Sequence, residues 1–406
     1  MSKRSDAGSA SRGPGDTGST GSTGGAEGAY VDWEFAKATG RRLAGPGPKV
    51  SRDEAADVVA SLRAMAVAAR EPIASTSLLV SPGDAPDAVV VDRPGWIDAN
   101  VESMRSLMVP VIEKITAGTR SKDGALHAGP ANAVTAVGGK VTGGEAGALM
   151  AFMSSKVLGQ YDLAPEGTPR LMLVAPNLVQ VERELGVDPH DFRLWVALHE
   201  ETHRVQFTAV AWLRQHLIDS SRALTTDLAP TPDELRQRLQ ELSRRLPEAF
   251  RSGSRGLADL FLSTQQRAEV SRITAVMSLL EGHADVMMDE VGPQVVPTVA
   301  QIRERFQGRR NGVSGLDKVL RRLLGMEAKM RQYRDGAVFV RAVVGDVGLE
   351  GFNAVWGSPD TLPTAAEIEA PRQWVERVHG RTPGPAGSPS ASSASPASST
   401  LPAAGS

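Results

Sequence analysis

The sequence has 406 residues, a length that suits one large domain or two of ordinary size. Apolar residues make up 41%, charged residues 23% and the formal net charge is −2, so nothing favours binding to nucleic acid or to an anionic membrane. Aromatic residues are scarce at 4%, which argues against a stacking surface for single-stranded nucleic acid, and the absence of cysteine excludes disulfides, thiolate nucleophiles and cysteine-bound metals.

Both ends of the chain are predicted to be disordered. Residues 1–28 are rich in Gly, Ser and Thr, and residues 381–406 in Pro, Ser and Ala, so neither has enough apolar side chains to bury. Residues 1–28 lack the apolar segment of a signal peptide, and no apolar run is long enough to span a membrane. We therefore expect a cytoplasmic protein with a folded domain at 29–380, which could divide into a helical part at 29–165 and a catalytic part at 166–380.

The first half of the folded part is predicted to form three helices and a strand. The first helix begins after Ser51, whose capping box would be completed by Glu54. Residues 96–115 predict an amphipathic helix, and residues 143–162 a buried one whose small residues allow close packing. Residues 169–178, "PRLMLVAPNL", are a short apolar run bounded by prolines, which favours a strand.

Helices also predominate in the second half. A long helix should start with Asp188 as cap and Pro189 as its first residue, and run to about residue 220. Further helices are predicted in four segments: residues 231–246, 263–291 with Ser263 as cap, 315–336 and 364–378. Little strand is expected, so the predicted fold class is α+β and predominantly helical, with a small sheet packed against the long helix.

The long helix contains an apolar stretch, "LWVALHEETHRVQF" at residues 194–207, that is interrupted by charge. His199 and His203 lie four residues apart, so both imidazoles leave the same face and can converge on one ion. Glu200 is rotated by about 100° from His199, beside the ion, where it can take a proton from bound water. This is the H-E-x-x-H arrangement of zinc hydrolases, with Glu200 as general base. The alternative is a structural polar cluster in a buried helix.

A catalytic zinc ion usually has three protein ligands and an open position. The metzincin pattern is excluded, because Gln206 and Ala209 stand where it needs Gly and His. The segment "LLEGHADVMMDE", residues 279–290, offers Glu281 instead. This acid lies in an otherwise apolar helical row, where a carboxylate is costly unless it binds something. Glu281 is therefore the predicted third ligand, with His283 as its rival.

Asp285 lies one helical turn after Glu281, on the same face. It could accept the spare ring N–H of His199 or His203 and so fix the orientation of that ligand. A Glu-x-x-x-Asp pair of this kind is what gluzincins of the thermolysin type use.

Three segments together resemble an actinobacterial family of zincin-like metallopeptidases. They are "LWVALHEETHRVQFTAVAWLRQHL" at 194–217, "LVAPNL" at 173–178 and "LLEGHADVMMDEVG" at 279–292. The resemblance covers most of residues 30–380 and leaves the tails outside. Some members of the family carry names that link them to biosynthesis of a deazaflavin coenzyme.

The resemblance implies a zincin fold and a zinc site formed by His199, His203 and Glu281, with Glu200 as base. A zincin also needs a donor that polarises the carbonyl oxygen of the substrate. Tyr333 and His283 are the candidates, although Tyr333 lies between two arginines and could equally belong to a solvated helix end. The segment "LVAPNL" could be an edge strand that pairs with a peptide, or a core strand without substrate contact.

The sequence thus predicts a zinc-dependent hydrolase with one Zn²⁺ ion, a metallopeptidase of gluzincin type that cleaves a peptide or small amide. One alternative is a catalytically silent zincin scaffold that acts as a metal-stabilised binding protein. The other is a small-molecule amide or ester hydrolase, which a closed pocket would favour. No nucleic-acid or membrane partner is expected, and the sequence leaves the oligomeric state open.

Overall fold

The fold is that of a computed structural model, which describes residues 30–83, 86–119, 131–228, 263–311 and 326–380. In these residues helices predominate and the strands form one three-stranded sheet, so the predicted α+β, mostly helical class is confirmed. No helix among them is long and apolar enough to cross a bilayer. The two predicted disordered tails and the predicted helix at 231–246 lie outside the described residues, as does the start of the one predicted at 315–336.

All three strands lie in the first half of the described chain, and only helices follow them. The first half contains α1 (Trp33–Leu43), α2 (Arg52–Ala68), α3 (Arg70–Ser77), β1 (Val89–Val91), α4 (Arg93–Thr119), α5 (Ala131–Ser154), β2 (Gly159–Asp162) and β3 (Arg170–Val174). The second half contains α6 (Ala175–Leu185), α7 (Pro189–Ala209), α8 (Leu213–Leu228), α9 (Thr264–Val291), α10 (Val299–Asn311), α11 (Met326–Phe352), α12 (Ala365–Glu369) and α13 (Pro371–His379). Two short 3₁₀ helices, Asn353–Trp356 and Pro359–Thr361, join α11 to α12.

Helix starts follow the predicted caps. The side chains of Ser51 and Asp188 each accept the backbone N–H three residues on, at 3.1 and 3.0 Å, and Ser263 forms a complete capping box with the glutamine three residues later. One detail differs at α2: the carboxylate of Glu54 pairs with Arg183 instead of closing the box on Ser51. The cap signals are local, which is why the sequence predicts them well.

β3 is the central strand of the sheet. It pairs with β1 in parallel, with Val90 opposite Leu173, and with β2 in the antiparallel sense, with Gln160 opposite Met172. The order β1-β3-β2 leaves β1 and β2 as the two edges. Of the two alternatives left open for residues 173–178, the strand agrees with a core strand and not with an edge strand, because β3 has a neighbour on each side.

Two predicted boundaries also change around this sheet. The strand predicted at 169–178 ends at Val174, and α6 begins at once with Pro176 in its first turn, where a proline has no N–H to lose. The helix predicted at 143–162 ends at Ser154. Residues 159–162, the last four of the predicted segment, form β2 instead. Close packing of that helix, predicted from its small residues, is confirmed, since a Cβ on Gly147 would lie 2.4 Å from the carbonyl oxygen of Ala36 in α1.

The long helix predicted to reach residue 220 is divided into α7 and α8. Val210 leaves the helical region, with φ −102° and ψ 85°, although no proline or glycine interrupts the sequence there. The corner is held by tertiary contact: the indole N–H of Trp212 donates to the carbonyl of Trp356 at 3.0 Å. α7 therefore ends six residues after the second histidine of its motif.

The buried face of α7 packs against the sheet, α2 and α9. α9 in turn lies against α11 at very short range. A Cβ on Gly282 would be 2.1 Å from the backbone of Gly336, so the two helices meet backbone to backbone. This contact fixes α9 with Glu281 directed toward the histidines of α7.

Candidate metal centre

The predicted metal ligands come together between α7 and α9. His199 and His203 lie one turn apart on α7, and Glu281 approaches them from α9. Their ligand atoms all lie within 4.8 Å of one another, and the three side chains are 12–28% exposed. A site that is largely buried yet reachable from solvent suits an ion with one open position.

The distances between these atoms match a single tetrahedral ion. The two Nε2 atoms are 3.2 Å apart, and the Glu281 carboxylate oxygens lie 3.6 Å from Nε2 of His199 and 3.7 Å from that of His203. Ligand atoms at the usual zinc distances of about 2.0–2.1 Å would stand about 3.3 Å apart around the tetrahedron. Zinc therefore fits this donor set without rearrangement of the backbone.

A hydrogen-bonded glutamine fixes the protonation of His203. Gln206 Oε1 accepts from Nδ1 of His203 at 3.0 Å, and Gln206 Nε2 donates to the carbonyl of Leu280 at 3.0 Å and to Nδ1 of His283 at 2.9 Å. Because Nδ1 of His203 carries the proton, its Nε2 presents a lone pair to the neighbouring Nε2 of His199. A cation between the two Nε2 atoms could accept a lone pair from each of them.

His199 has a softer partner on its other side. Its Nδ1 faces the sulfur of Met288 at 3.2 Å, a weak acceptor. Burial disfavours the charged form of this ring, yet the Glu281 carboxylate beside it outweighs burial and raises the pKa of His199 to about 9. Glu281 thus favours a positive charge beside it, which a divalent cation or a protonated imidazole can supply.

Glu200 lies outside the three-ligand group but beside His199. Its residue is 6% exposed, and burial raises the pKa of its carboxyl to about 7, with the charge of Glu281 adding to the rise and His199 opposing it. A carboxylate poised in this range is suited to exchange protons near neutral pH.

The side chain of Glu200 rests directly on the start of β2. A Cβ built on Gly159 would lie 2.5 Å from Cγ and 2.7 Å from Oε1 of Glu200. Only glycine leaves room for the carboxylate at this point. The edge strand therefore passes immediately beside the predicted general base.

The structure does not support the roles predicted for His283 and Asp285. His283 is fully buried behind His203, between the rings of Phe352 and Trp356, so it neither joins the ligand group nor faces a substrate. Burial lowers its pKa to about 3, which keeps the ring neutral.

Asp285 forms ion pairs with Arg303 and Arg341, at 3.3 and 3.5 Å, while the spare nitrogens of both ligand histidines contact Met288 and Gln206. The carboxylate of Asp285 is thus paired with arginines, and only its charge acts on His199. Tyr333 lies within α11, but its side chain is outside the described part of the structure, so its role stays a prediction.

A cavity of about 240 Å³ opens beside the centre. His199 and Glu200 form one wall, and Leu158, Trp195, Met288 and Phe306 make much of the remainder apolar. Asp285 and Arg303 lie at its polar side. A pocket with these walls, next to Glu200 and the candidate metal ligands, can accommodate an apolar group of a small molecule.

Sequence reasoning missed two residues that shape the site, Gln206 and Gly159. Gln206 stands three residues after His203, on the same helical face, so its reach to the ring could have been predicted from spacing. Gly159 carries no comparable signal, because its contact with Glu200 joins residues 41 positions apart in the sequence.

The chain is similar to a family of known proteins and to a solved structure. A crystal structure of a protein from Chloroflexus aurantiacus, described as a candidate hydrolase with a novel fold, aligns with a TM-score of 0.60 and 29% identity over 87% of this chain and 100% of that one. No curated protein matches the chain significantly. The family model of the zincin-like metallopeptidases matches residues 31–375, and both likenesses support a hydrolase. Because that match spans most of the sequence, the chain belongs to the zincin-like metallopeptidase family.

Proposed function

We propose that this protein is a zinc-dependent metallopeptidase in which His199, His203 and Glu281 hold one Zn²⁺ ion and Glu200 is the general base. The observation that carries the proposal is the convergence of two Nε2 atoms and a carboxylate at 3.2–3.7 Å, with a second carboxylate beside them that belongs to no ligand set. Three protein ligands with a carboxylate beside them are what a catalytic zinc site with an open position for water requires.

The chemistry of the chain follows from the placement of Glu200. When bound, zinc would polarise a water molecule and the scissile carbonyl. Glu200 would take a proton from a water molecule while the oxygen of that water attacks the carbonyl carbon. Glu200 would then deliver the proton to the departing amine nitrogen. The amide bond breaks, and one water is consumed for each carboxylate and amine released.

An extended peptide is the favoured substrate, because β2 offers a sheet edge beside Glu200. In the described residues β2 is paired on one side only, with β3. A peptide added to its free side would form main-chain hydrogen bonds and pass close to the base. The neighbouring cavity of about 240 Å³ would receive one apolar side chain. A small amide or ester that fits this cavity alone is the second candidate substrate.

The test uses zinc-loaded wild type and the E200Q variant, which keeps the shape of the side chain. Both proteins are assayed by mass spectrometry on a peptide library and on a panel of small amides and esters, and their zinc content is measured. We expect E200Q to retain zinc and to lose hydrolysis by about 10²–10⁴-fold, the usual contribution of a general base. Cleavage restricted to the small compounds would favour the second candidate substrate.

A binding scaffold without turnover is the competing function. It predicts zinc bound at one ion per chain and no hydrolysis of any substrate by the wild type. Equal hydrolysis by wild type and E200Q would contradict the role of Glu200 as base. An actinobacterial source, a link to coenzyme biosynthesis, a cytoplasmic location and the absence of nucleic-acid and membrane partners stay predictions.

A further inference from the structure

A second cavity, larger than the one beside the candidate metal centre, lies at the β1 edge of the sheet. It measures about 750 Å³ and shares no lining residue with the cavity next to Glu200. The loop after α1, the first turns of α4 and α6, β1 and α2 enclose it. Its walls are mostly aliphatic side chains and prolines, among them Pro46, Val58, Val90, Pro94, Pro176 and Val179. Its size is that of pockets that hold small organic ligands.

One charged side chain, Arg93, is buried at the wall of this cavity. Its residue is 6% exposed. Its guanidinium donates from Nε to Asn177 Oδ1 at 2.8 Å, from Nη1 to the carbonyl of Gly45 at 2.9 Å and from Nη2 to Gln180 Oε1 at 2.7 Å. All three acceptors are neutral, so they satisfy hydrogen bonds without balancing the charge.

A second buried arginine in the described residues, Arg204, differs from Arg93 in its partner. Arg204 is 5% exposed and forms a two-pronged ion pair with Glu201. In the described part of the chain Arg93 has no carboxylate at ion-pair distance. Asp92 also lines the cavity, but it is exposed and its Oδ1 accepts the backbone N–H of Gly95. Burial lowers the pKa of Arg93, as expected for a cation that lacks a counter-charge.

We propose that this cavity binds a small apolar carboxylate, with its hydrocarbon part among the valines and prolines and its carboxylate against Arg93. A guanidinium has five N–H groups, and three of those on Arg93 are used by the neutral acceptors. A carboxylate is the anion whose planar geometry suits the remaining donors, and it supplies the missing negative charge. The aliphatic walls select a ligand whose other end is uncharged.

The probe is decanoate, compared with decanol, which has the same chain and no charge. Binding to the zinc-loaded protein is measured by isothermal titration calorimetry below the micelle concentration. We expect decanoate to bind the wild type at least tenfold more tightly than decanol, since a hydrogen bond to a charged group is worth about 1.5–3 kcal/mol. R93M should abolish that preference and leave decanol binding unchanged.

Two further variants separate the ligand site from folding and from the metal. V59F fills the cavity without changing Arg93 and should weaken both ligands, which keeps the test decisive if R93M is unstable. R214M removes another arginine, whose acceptors are main-chain carbonyls and which does not line the cavity. It should therefore change the binding of neither decanoate nor decanol. The proposal is overturned if decanoate fails to bind, if it binds no better than decanol, or if its binding survives V59F, which would place it elsewhere, such as on the zinc ion.

Discussion

Among single residues, Gln206 is the one on which the geometry of His203 depends. Its amide holds the Nδ1 proton of His203 and connects that ring to His283 and to α9. We expect Q206L to weaken zinc binding by about 10–100-fold, because the ring loses the contact that orients its Nε2. The measurement is competition with a chromophoric chelator at neutral pH.

A conservative variant distinguishes positioning from mere stability. Q206E keeps an acceptor for the Nδ1–H of His203, so it should retain most of the zinc affinity, although it loses the donor to the carbonyl of Leu280 and to His283. Q215L, on the exposed face of α8, is the control and should bind zinc like the wild type. Equal zinc affinity in Q206L and wild type would show that Gln206 does not orient the ligand.

Gly159 is the second residue whose replacement should affect activity more than stability. A methyl group there would lie 2.5–2.7 Å from the side chain of Glu200, which is flexible enough to move away. We therefore expect G159A to fold and to hold zinc, but to lose about tenfold or more in kcat on whichever substrate the wild type cleaves, because the base is displaced.

The control for G159A is G167A, whose added methyl would meet only the Cβ of Ala164 at an ordinary 3.5 Å. Hydrolysis by G159A at the wild-type rate would mean that Glu200 does not act from the position seen here. A loss of zinc from G159A would instead indicate that the strand supports the ligands themselves.

The residues of the centre differ in how far the sequence predicts them. His199, Glu200 and His203 share one helical turn, and Glu281 is an acid in an apolar helical row, so helix geometry alone predicts them. Asp285 obeys the same periodicity, yet its carboxylate forms ion pairs with Arg303 and Arg341 and no hydrogen bond to either ligand histidine ring. These arginines come from α10 and α11, whose approach to α9 no local pattern encodes.

At the level of elements, the contact between α9 and α11 is what places Glu281. Gly282 and Gly336 face each other without side chains, and a Cβ on Gly282 would meet the facing backbone at 2.1 Å. Backbone cannot yield as a flexible side chain does, so G282A should destabilise the protein by about 1–3 kcal/mol or more and lower its zinc content. Thermal denaturation of the zinc-loaded and zinc-free forms measures both effects.

The matched control is G345A, because Gly345 lies on the exposed side of α11 with no atom within 4 Å of an added Cβ. Alanine is the better helix former, so G345A should be neutral or more stable by up to about 1 kcal/mol. If G282A were as stable as G345A, the two helices would have freedom to separate, and the rigid placement of Glu281 would be wrong.

Element boundaries show which parts of the fold are local. Caps at Ser51, Asp188 and Ser263 were predicted because the cap and its N–H are three residues apart. The division between α7 and α8 and the strand β2 were missed, because the first depends on Trp212 meeting Trp356 and the second on pairing with β3. Tertiary contact overrides local helix preference at both places.

For the molecule as a whole, acid should unfold the chain partly through Glu367, which ties α12 to α13. Its carboxylate accepts from Nε of Arg377 at 2.6 Å and from Nη2 at 3.0 Å. Burial alone would raise the pKa of Glu367, but the bonds from Arg377 and Thr364 outweigh burial and hold it below the ordinary 4.5. The ionised form is thus the one that the fold favours.

The stability that the ionised Glu367 contributes should decrease as the pH falls. A carboxyl whose pKa is lower in the folded than in the unfolded chain contributes stability above about pH 4.5, and this is lost as the pH falls through the lowered value. E367Q should therefore be less stable than wild type at pH 7, and the two stabilities should converge as the pH falls below the lowered pKa of Glu367. Urea unfolding at several pH values measures the gap, with E376Q, an exposed glutamate of α13, as the variant that should follow wild type throughout. A gap that stayed constant on acidification would mean that the ionised Glu367 carboxylate does not carry this stability.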